Sequence, residues 1–164
     1  MIQLLVLDVD GCLTDGKIIY TDATHETKAF NVKDGLAIRT WIRMGHDVAS
    51  ITGRKSEVVA RRAKELGVQH LHQGIKDKAT LLLDICEKND IKISNVAALG
   101  DDLNDYKMLK MVGRSFTPHD GAKPVRALVD TVLDASGGEG AAREMIEQIV
   151  EENGQNNEFM AFWE

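Results

Sequence analysis

The sequence predicts an α/β fold, a doubly wound parallel sheet, and three observations carry that prediction. The chain opens on Leu4-Leu5-Val6-Leu7, an unbroken apolar run that ends in Asp8-Val9-Asp10-Gly11. Such a run reads as a strand buried on both faces, whose carboxyl end delivers two acids to the edge where open α/β sheets place their sites. Strand-like and helix-like segments then alternate without a linker or low-complexity stretch, which is the pattern of a parallel sheet covered by helices. Finally, 164 residues with 43% hydrophobic and 28% charged side chains fit one domain over 1–164 with a full core.

The elements follow in order. The first strand spans about residues 2–8. Lys17-Ile18-Ile19-Tyr20 and Thr27-Lys28-Ala29-Phe30 are short β-like runs around a polar turn, predicting a β-hairpin over about 12–31 that projects beside Asp8 and Asp10. A helix near 34–44 precedes a strand at about 47–51, and a helix near 55–66 precedes one at about 68–71. The helix near 77–89 carries the apolar stripe Ala79, Leu82, Leu83 and Cys86. Strands at about 96–99, 113–116 and 129–132 alternate with helices near 103–111 and 122–127. The last helix, near 140–152, shows the stripe Ala142, Met145, Ile146 and Ile149, and a polar tail over about 153–164 ends in Phe159, Met160, Phe162 and Trp163.

Charge and composition narrow the function classes. The net charge is −6, and no basic stripe interleaved with aromatics is present, so no nucleic acid partner is expected. The first strand begins at residue 2, leaving no charged and apolar leader, and no apolar run is long enough to span a bilayer. A cytoplasmic location without membrane association is the expectation. Cys12 and Cys86 lack paired spacing and are read as packing thiols in a reducing compartment.

Asp8 and Asp10 repel each other, and a divalent cation is the usual way to offset such a pair. Three further motifs follow in the chain. His46-Asp47-Val48-Ala49-Ser50-Ile51-Thr52-Gly53 is a strand ending in Thr52; Gly74-Ile75-Lys76-Asp77-Lys78 supplies a lysine at a helix start; and Val96-Ala97-Ala98-Leu99-Gly100-Asp101-Asp102-Leu103-Asn104-Asp105 is a strand ending in an acidic cluster. This ordered set resembles the haloacid dehalogenase (HAD) superfamily of phosphotransferases. The resemblance implies Asp8 as nucleophile and Asp10 as general acid/base. It also implies Thr52 and Lys78 on the phosphoryl group, with Lys78 preferred over Lys76, and Mg2+ held by Asp8, the Asp10 carbonyl and Asp101. Asp102 and Asp105 are expected to support that metal site. The residue types suit the chemistry, because a dianionic phosphate monoester must be brought against an attacking carboxylate.

About forty residues separate Asp10 from Thr52 and about twenty-five separate Thr52 from Lys78, too few for the cap domain of many HAD enzymes. Within the superfamily, the sequence resembles the small capless group of 3-deoxy-D-manno-octulosonate (KDO) 8-phosphate phosphatases, which serve lipopolysaccharide precursor synthesis. Asp8 to Gly16, Phe30 to Gly35, Thr52 to Ser56 and Gly137 to Glu144 carry that resemblance, which spans nearly the whole chain; Ala142 stands where the group usually has Val. It implies a small phosphorylated sugar acid as substrate and a homotetramer in which the hairpins pack together and the tail approaches a neighbouring site. Arg54 is the expected partner of the sugar carboxylate, with Lys33, Asp34 and Arg143 as further substrate contacts.

Other readings fit the residues less well. A receiver-like signalling domain also combines acids, Thr and Lys, but in a different order along the chain. A silent HAD-like oligomerisation domain does not require the intact Asp8, Asp10, Thr52, Lys78 and Asp101 set. A phosphatase for the nine-carbon analogue, 2-keto-3-deoxynononate 9-phosphate, is the nearest enzymatic alternative. Gly138-Glu139-Gly140 with Arg143 imitates a dinucleotide fingerprint but lies far from the first strand, and His70 and His72 lack a third metal ligand.

Overall fold

The computed structural model describes residues 1–164 and contains one six-stranded parallel sheet with helices on both faces. In chain order the elements are β1 (Leu4–Leu7), β2 (Ile19–Tyr20), β3 (Glu26–Thr27), α1 (Val32–Arg43), β4 (Asp47–Thr52), α2 (Glu57–Leu66), β5 (His70–Gln73), α3 (Lys78–Lys88), β6 (Val96–Leu99), α4 (Tyr106–Leu109), β7 (Arg114–Thr117), α5 (Lys123–Arg126), β8 (Thr131–Val132), α6 (Ala141–Glu152) and α7 (Asn156–Met160). The sheet order is β5-β4-β1-β6-β7-β8. The chain winds outward from β1 through β4 to β5, then returns to β6 on the other side. That reversal opens a crevice at the carboxyl ends of β1 and β6.

The apolar run of β1 is continuous because both of its faces are covered. Leu5 and Leu7 face a core with Ile38 and Trp41 of α1 and Met145, Ile146 and Ile149 of α6. Leu4 and Val6 face a second core with Leu82, Ile85 and Cys86 of α3 and Met108 and Leu109 of α4. The period-two alternation of a strand explains the division. Trp41 is fully buried and donates its indole N–H to the Asp47 carbonyl at 3.1 Å, so the largest core side chain leaves no unsatisfied donor.

Local chemistry sets the helix starts. Asn31 caps α1 by accepting from the Lys33 N–H at 2.9 Å, and Asp77 caps α3 by accepting from the Thr80 N–H at 3.2 Å. Helix α6 begins after Gly140, which has no side chain to cap it. The cap comes from α1 instead: Asp34 accepts the Arg143 N–H at 2.8 Å.

Several expected elements differ in extent. The hairpin pairs Ile19 with Thr27 and Tyr20 with Glu26, not residues up to Phe30, because Asp22 accepts from the N–H groups of Thr24 and His25 and closes a tight turn. The helix expected near 103–111 narrows to α4, since the Asp105 carboxylate draws the backbone of Asp101 into a loop. The tail expected over about 153–164 folds back as α7, burying Phe159 in the core of its own chain and setting the Phe162 ring 4.5 Å from the Arg43 guanidinium. An apolar side chain at the end of a polar segment gains more by covering nearby core than by staying in water.

Candidate active site

Asp8 leaves β1 with its N–H on the Leu99 carbonyl at 3.0 Å, which pins the first residue of the site to the neighbouring strand. The following turn closes when the Thr14 N–H reaches the Val9 carbonyl at 3.0 Å. Gly11 takes a φ of 93° in this turn, and a Cβ there would overlap the Asp101 carboxylate. Behind the turn, Gly137 lies so close to the Gly11 carbonyl that it too has no room for a Cβ, and the Gly138 N–H donates to the Cys12 carbonyl at 3.0 Å. Gly137 and Gly138, at the start of the segment that imitates a nucleotide motif, thus back the Asp8–Thr14 turn.

Lys78 enters from the start of α3. Its side chain is 1% exposed, and its ammonium lies 2.6 Å from Asp8 Oδ1 and 2.6 Å from Asp105 Oδ1. Asp105 in turn accepts the Asp101 N–H at 3.0 Å through its other oxygen. Asp8 and Asp105 therefore share a single buried ammonium, and the Asp101 carboxylate nearby has none of its own. Burial, with Asp105 adding to it and Lys78 opposing, raises the Asp8 carboxyl well above the usual range. Burial and Asp105 likewise push Asp101 up to about 6. Lys78 is driven up by Asp8 and Asp105 despite the opposing effect of its burial.

This excess of negative charge is what a divalent cation would offset. Ligand atoms of Asp8, Cys12 and Asp101 all lie within 4.8 Å of one another. The Asp8 and Asp101 carboxylates and the Asp10 carbonyl are hard oxygen donors that fit Mg2+, whereas the Cys12 thiol does not. Burial and the surrounding carboxylates raise that thiol well above its ordinary value, so it stays neutral.

The cleft in front holds about 250 Å³ and is lined by Asp8, Asp10, Gly16, Thr52, Gly53, Arg54, Asp101, Asp102 and Asn104. No hydrophobic side chain borders it, as suits a phosphate and a polyhydroxylated acid. Thr52 is buried at the end of β4. Asp102 is exposed and accepts the Leu103 N–H at 2.7 Å. Arg54 is held by Glu26 of the hairpin, with Nη2 3.0 Å from Oε2.

Three residues expected at the sugar lie elsewhere in this chain. Lys33 is exposed at the first turn of α1 and does not line the cleft. Asp34 is buried as the cap of α6, and Arg143 donates its side chain to Glu147 at 2.6 Å. Lys76, the sequence alternative to Lys78, is exposed. Sequence reasoning missed Lys28, whose ammonium pairs with the Asp10 carboxylate, as well as Glu26 and Asn104. A lone lysine in a β-like run carries no sequence signal that separates it from a solvated one.

Comparison with known proteins agrees with the geometry. A haloacid dehalogenase-like hydrolase family model matches residues 71–145. The 3-deoxy-D-manno-octulosonate 8-phosphate phosphatase KdsC of Salmonella typhi is 41% identical over 96% of this chain and 84% of its own length, and that of Escherichia coli K12 is equally similar. The crystal structure of the Moraxella catarrhalis KDO 8-phosphate phosphatase, in complex with magnesium ion, phosphate ion and KDO, superposes with a TM-score of 0.95. It is 42% identical over 99% of this chain and 94% of that one. The cobalt-bound form of the Haemophilus influenzae enzyme gives a TM-score of 0.89, with 36% identity over 93% and 90% of the two chains. A relationship this close over nearly the full chain, joined to an acidic crevice at the switch point of the sheet, places the protein in the haloacid dehalogenase-like hydrolase family, in the group of the KDO 8-phosphate phosphatases.

Proposed function

We propose that the chain is a Mg2+-dependent phosphatase that hydrolyses KDO 8-phosphate to KDO and inorganic phosphate, a step in lipopolysaccharide precursor synthesis. The observation that carries this reading is the convergence of Asp8, Asp10, Thr52 and Asp101 on one polar cleft, with Lys78 buried directly behind Asp8. The Asp8 and Asp101 carboxylates and the Asp10 carbonyl would hold Mg2+, which when bound draws the phosphate against Asp8 and neutralises its charge.

Asp8 attacks phosphorus while Asp10 gives its proton to the leaving sugar oxygen, leaving an aspartyl phosphate and a free hydroxyl. Asp10 then takes a proton from water as that water attacks the phosphoryl group and releases Asp8. Thr52 donates its hydroxyl to the transferring group, and Lys78, on Asp8 Oδ1, favours the ionised nucleophile from behind, as the cation would from in front. Asp102 and Asp105 support the loop that presents Asp101. Arg54, at the cleft wall, offers a planar fork to the sugar carboxylate.

The deciding measurement compares kcat/KM for KDO 8-phosphate, its nine-carbon analogue and hexose phosphates. KDO 8-phosphate is expected to lead. A tenfold lead for any other ester, about 1.4 kcal/mol of transition-state preference, overturns the substrate assignment. Asp8→Asn is expected to abolish turnover with any ester, because an amide is a poor nucleophile.

The assembly we propose is a homotetramer in the cytoplasm. The hairpin exposes Ile18, Ile19 and Tyr20, an apolar set suited to packing against other copies, and no helix is long and apolar enough to cross a membrane. A monomer by light scattering at micromolar concentration refutes the assembly. The neighbour could also bring Lys33 or Arg143 to a site that neither reaches within its own chain.

A further inference from the structure

The hairpin does more than project beside the cleft. Lys28, just after β3, has a side chain only 1% exposed, and its ammonium pairs with Asp10 Oδ1. No other protein group hydrogen-bonds the Asp10 carboxylate, whose side chain is 20% exposed at the cleft. Glu26 steadies the pair from the other side: its Oε1 lies 3.9 Å from the Lys28 ammonium, and its Oε2 holds Arg54 at 3.0 Å. Lys28 itself does not line the cleft. A buried ammonium with one strong carboxylate partner fixes that carboxylate, since parting them would strand a charge away from water.

We propose that Lys28 is a positioning residue for Asp10: by holding Oδ1 it turns Oδ2 toward the cleft, where the leaving oxygen of the substrate departs. This rests on Asp10 as the proton donor of the proposed reaction. In that step the bond from phosphorus to the sugar oxygen breaks as the bond to Asp8 forms. The proton on Asp10 Oδ2 passes to the departing oxygen, leaving a sugar hydroxyl and an ionised Asp10. The ammonium remains a donor to Oδ1 throughout, because the carbonyl oxygen of a protonated carboxyl still accepts a hydrogen bond.

Leaving groups separate this role from a structural one. A sugar alkoxide needs a proton to depart, whereas p-nitrophenolate leaves without one. We expect Lys28→Met, assayed with Mg2+, to lower kcat/KM for KDO 8-phosphate by about 10- to 100-fold and for p-nitrophenyl phosphate by less than about threefold, within the range of general acid catalysis. Lys28→Arg is expected to restore the ratio of the two substrates to within about threefold, because it keeps the charge and a donor. The ratio is internal to each preparation, so partial unfolding cancels, and Lys28→Gln reads the same ratio should the methionine variant not fold. Equal losses on both substrates, or none, overturn the proposal, because a phosphate ligand or a scaffold residue affects both alike. Asp10→Asn serves as the reference. If it shows the split and Lys28→Met does not, the positioning role alone is wrong; if Asp10→Asn lowers both substrates equally, the reading of Asp10 fails and takes this proposal with it.

Discussion

Replacing Asp34 by Asn isolates a charge that the fold tolerates at a cost. Asp34 is 2% exposed; its Oδ1 accepts the Arg143 N–H, while Oδ2 is buried without a partner. Burial raises its carboxyl from the ordinary 3.8 to about 6, even though the N–H groups at the start of α6 and the Arg62 guanidinium pull the other way. At about 1.4 kcal/mol per tenfold, the ionised form costs about 3 kcal/mol relative to the unfolded chain. The sign follows from proton binding. Between pH 3.8 and about 6 the folded state holds more of this proton than the unfolded state, so the contribution of Asp34 to stability falls as pH rises through that window. Asn keeps the accepting oxygen and removes the charge. Urea denaturation of both proteins from pH 4 to 8 reads the difference between them, in which the other carboxylates cancel. The variant is expected to match the parent near pH 4 and to gain up to about 3 kcal/mol above pH 6. A difference that is flat with pH, or a less stable variant at pH 8, refutes the account of Asp34 as a strained cap.

Two further perturbations test the core and the charge cluster. Lys78→Met leaves Asp8 and Asp105 buried without their ammonium, so it is expected to lose about 3–5 kcal/mol in urea titrations, with added Mg2+ recovering part of the loss. Equal stability with and without the ion would count against a cation at Asp8 and Asp101. Trp41→Ala empties the largest site of the main core and is expected to cost about 3–5 kcal/mol, whereas a loss below about 1 kcal/mol would mean the core collapses around the gap.

The legible parts of this protein are those whose physics is local. A strand buried on both faces must be continuously apolar, so β1 and β6 announce themselves, and the acids at their ends stand out against that background. Thr52 and Lys78 are legible by their order and by the elements that they end or open. Long-range decisions are not legible. Asp34 lies 109 residues from Arg143, and its use as a cap follows only once α1 and α6 pack together and Gly140 has no side chain to offer. Phe159 reads as the end of a polar tail until α6 presents a core edge for it to cover. Lys28 is silent because its partner, Asp10, comes near it only when the hairpin closes.

The two aspartates at the end of β1 end in different surroundings although one residue separates them. Asp8 is 3% exposed, with Lys78 on Oδ1 and the charges of Asp101 and Asp105 nearby. Asp10 is open to the cleft, with Lys28 on one oxygen and the other free. A nucleophile must stay ionised and in register with phosphorus, which a buried ammonium and a bound cation favour. A proton shuttle must exchange with water and reach the leaving oxygen, which needs one free oxygen and access. The start of α3 supplies the lysine of the first environment and the hairpin that of the second, one for each aspartate. Shortening the hairpin would therefore be expected to impair proton transfer to the leaving group while leaving Asp8 and its metal site in place.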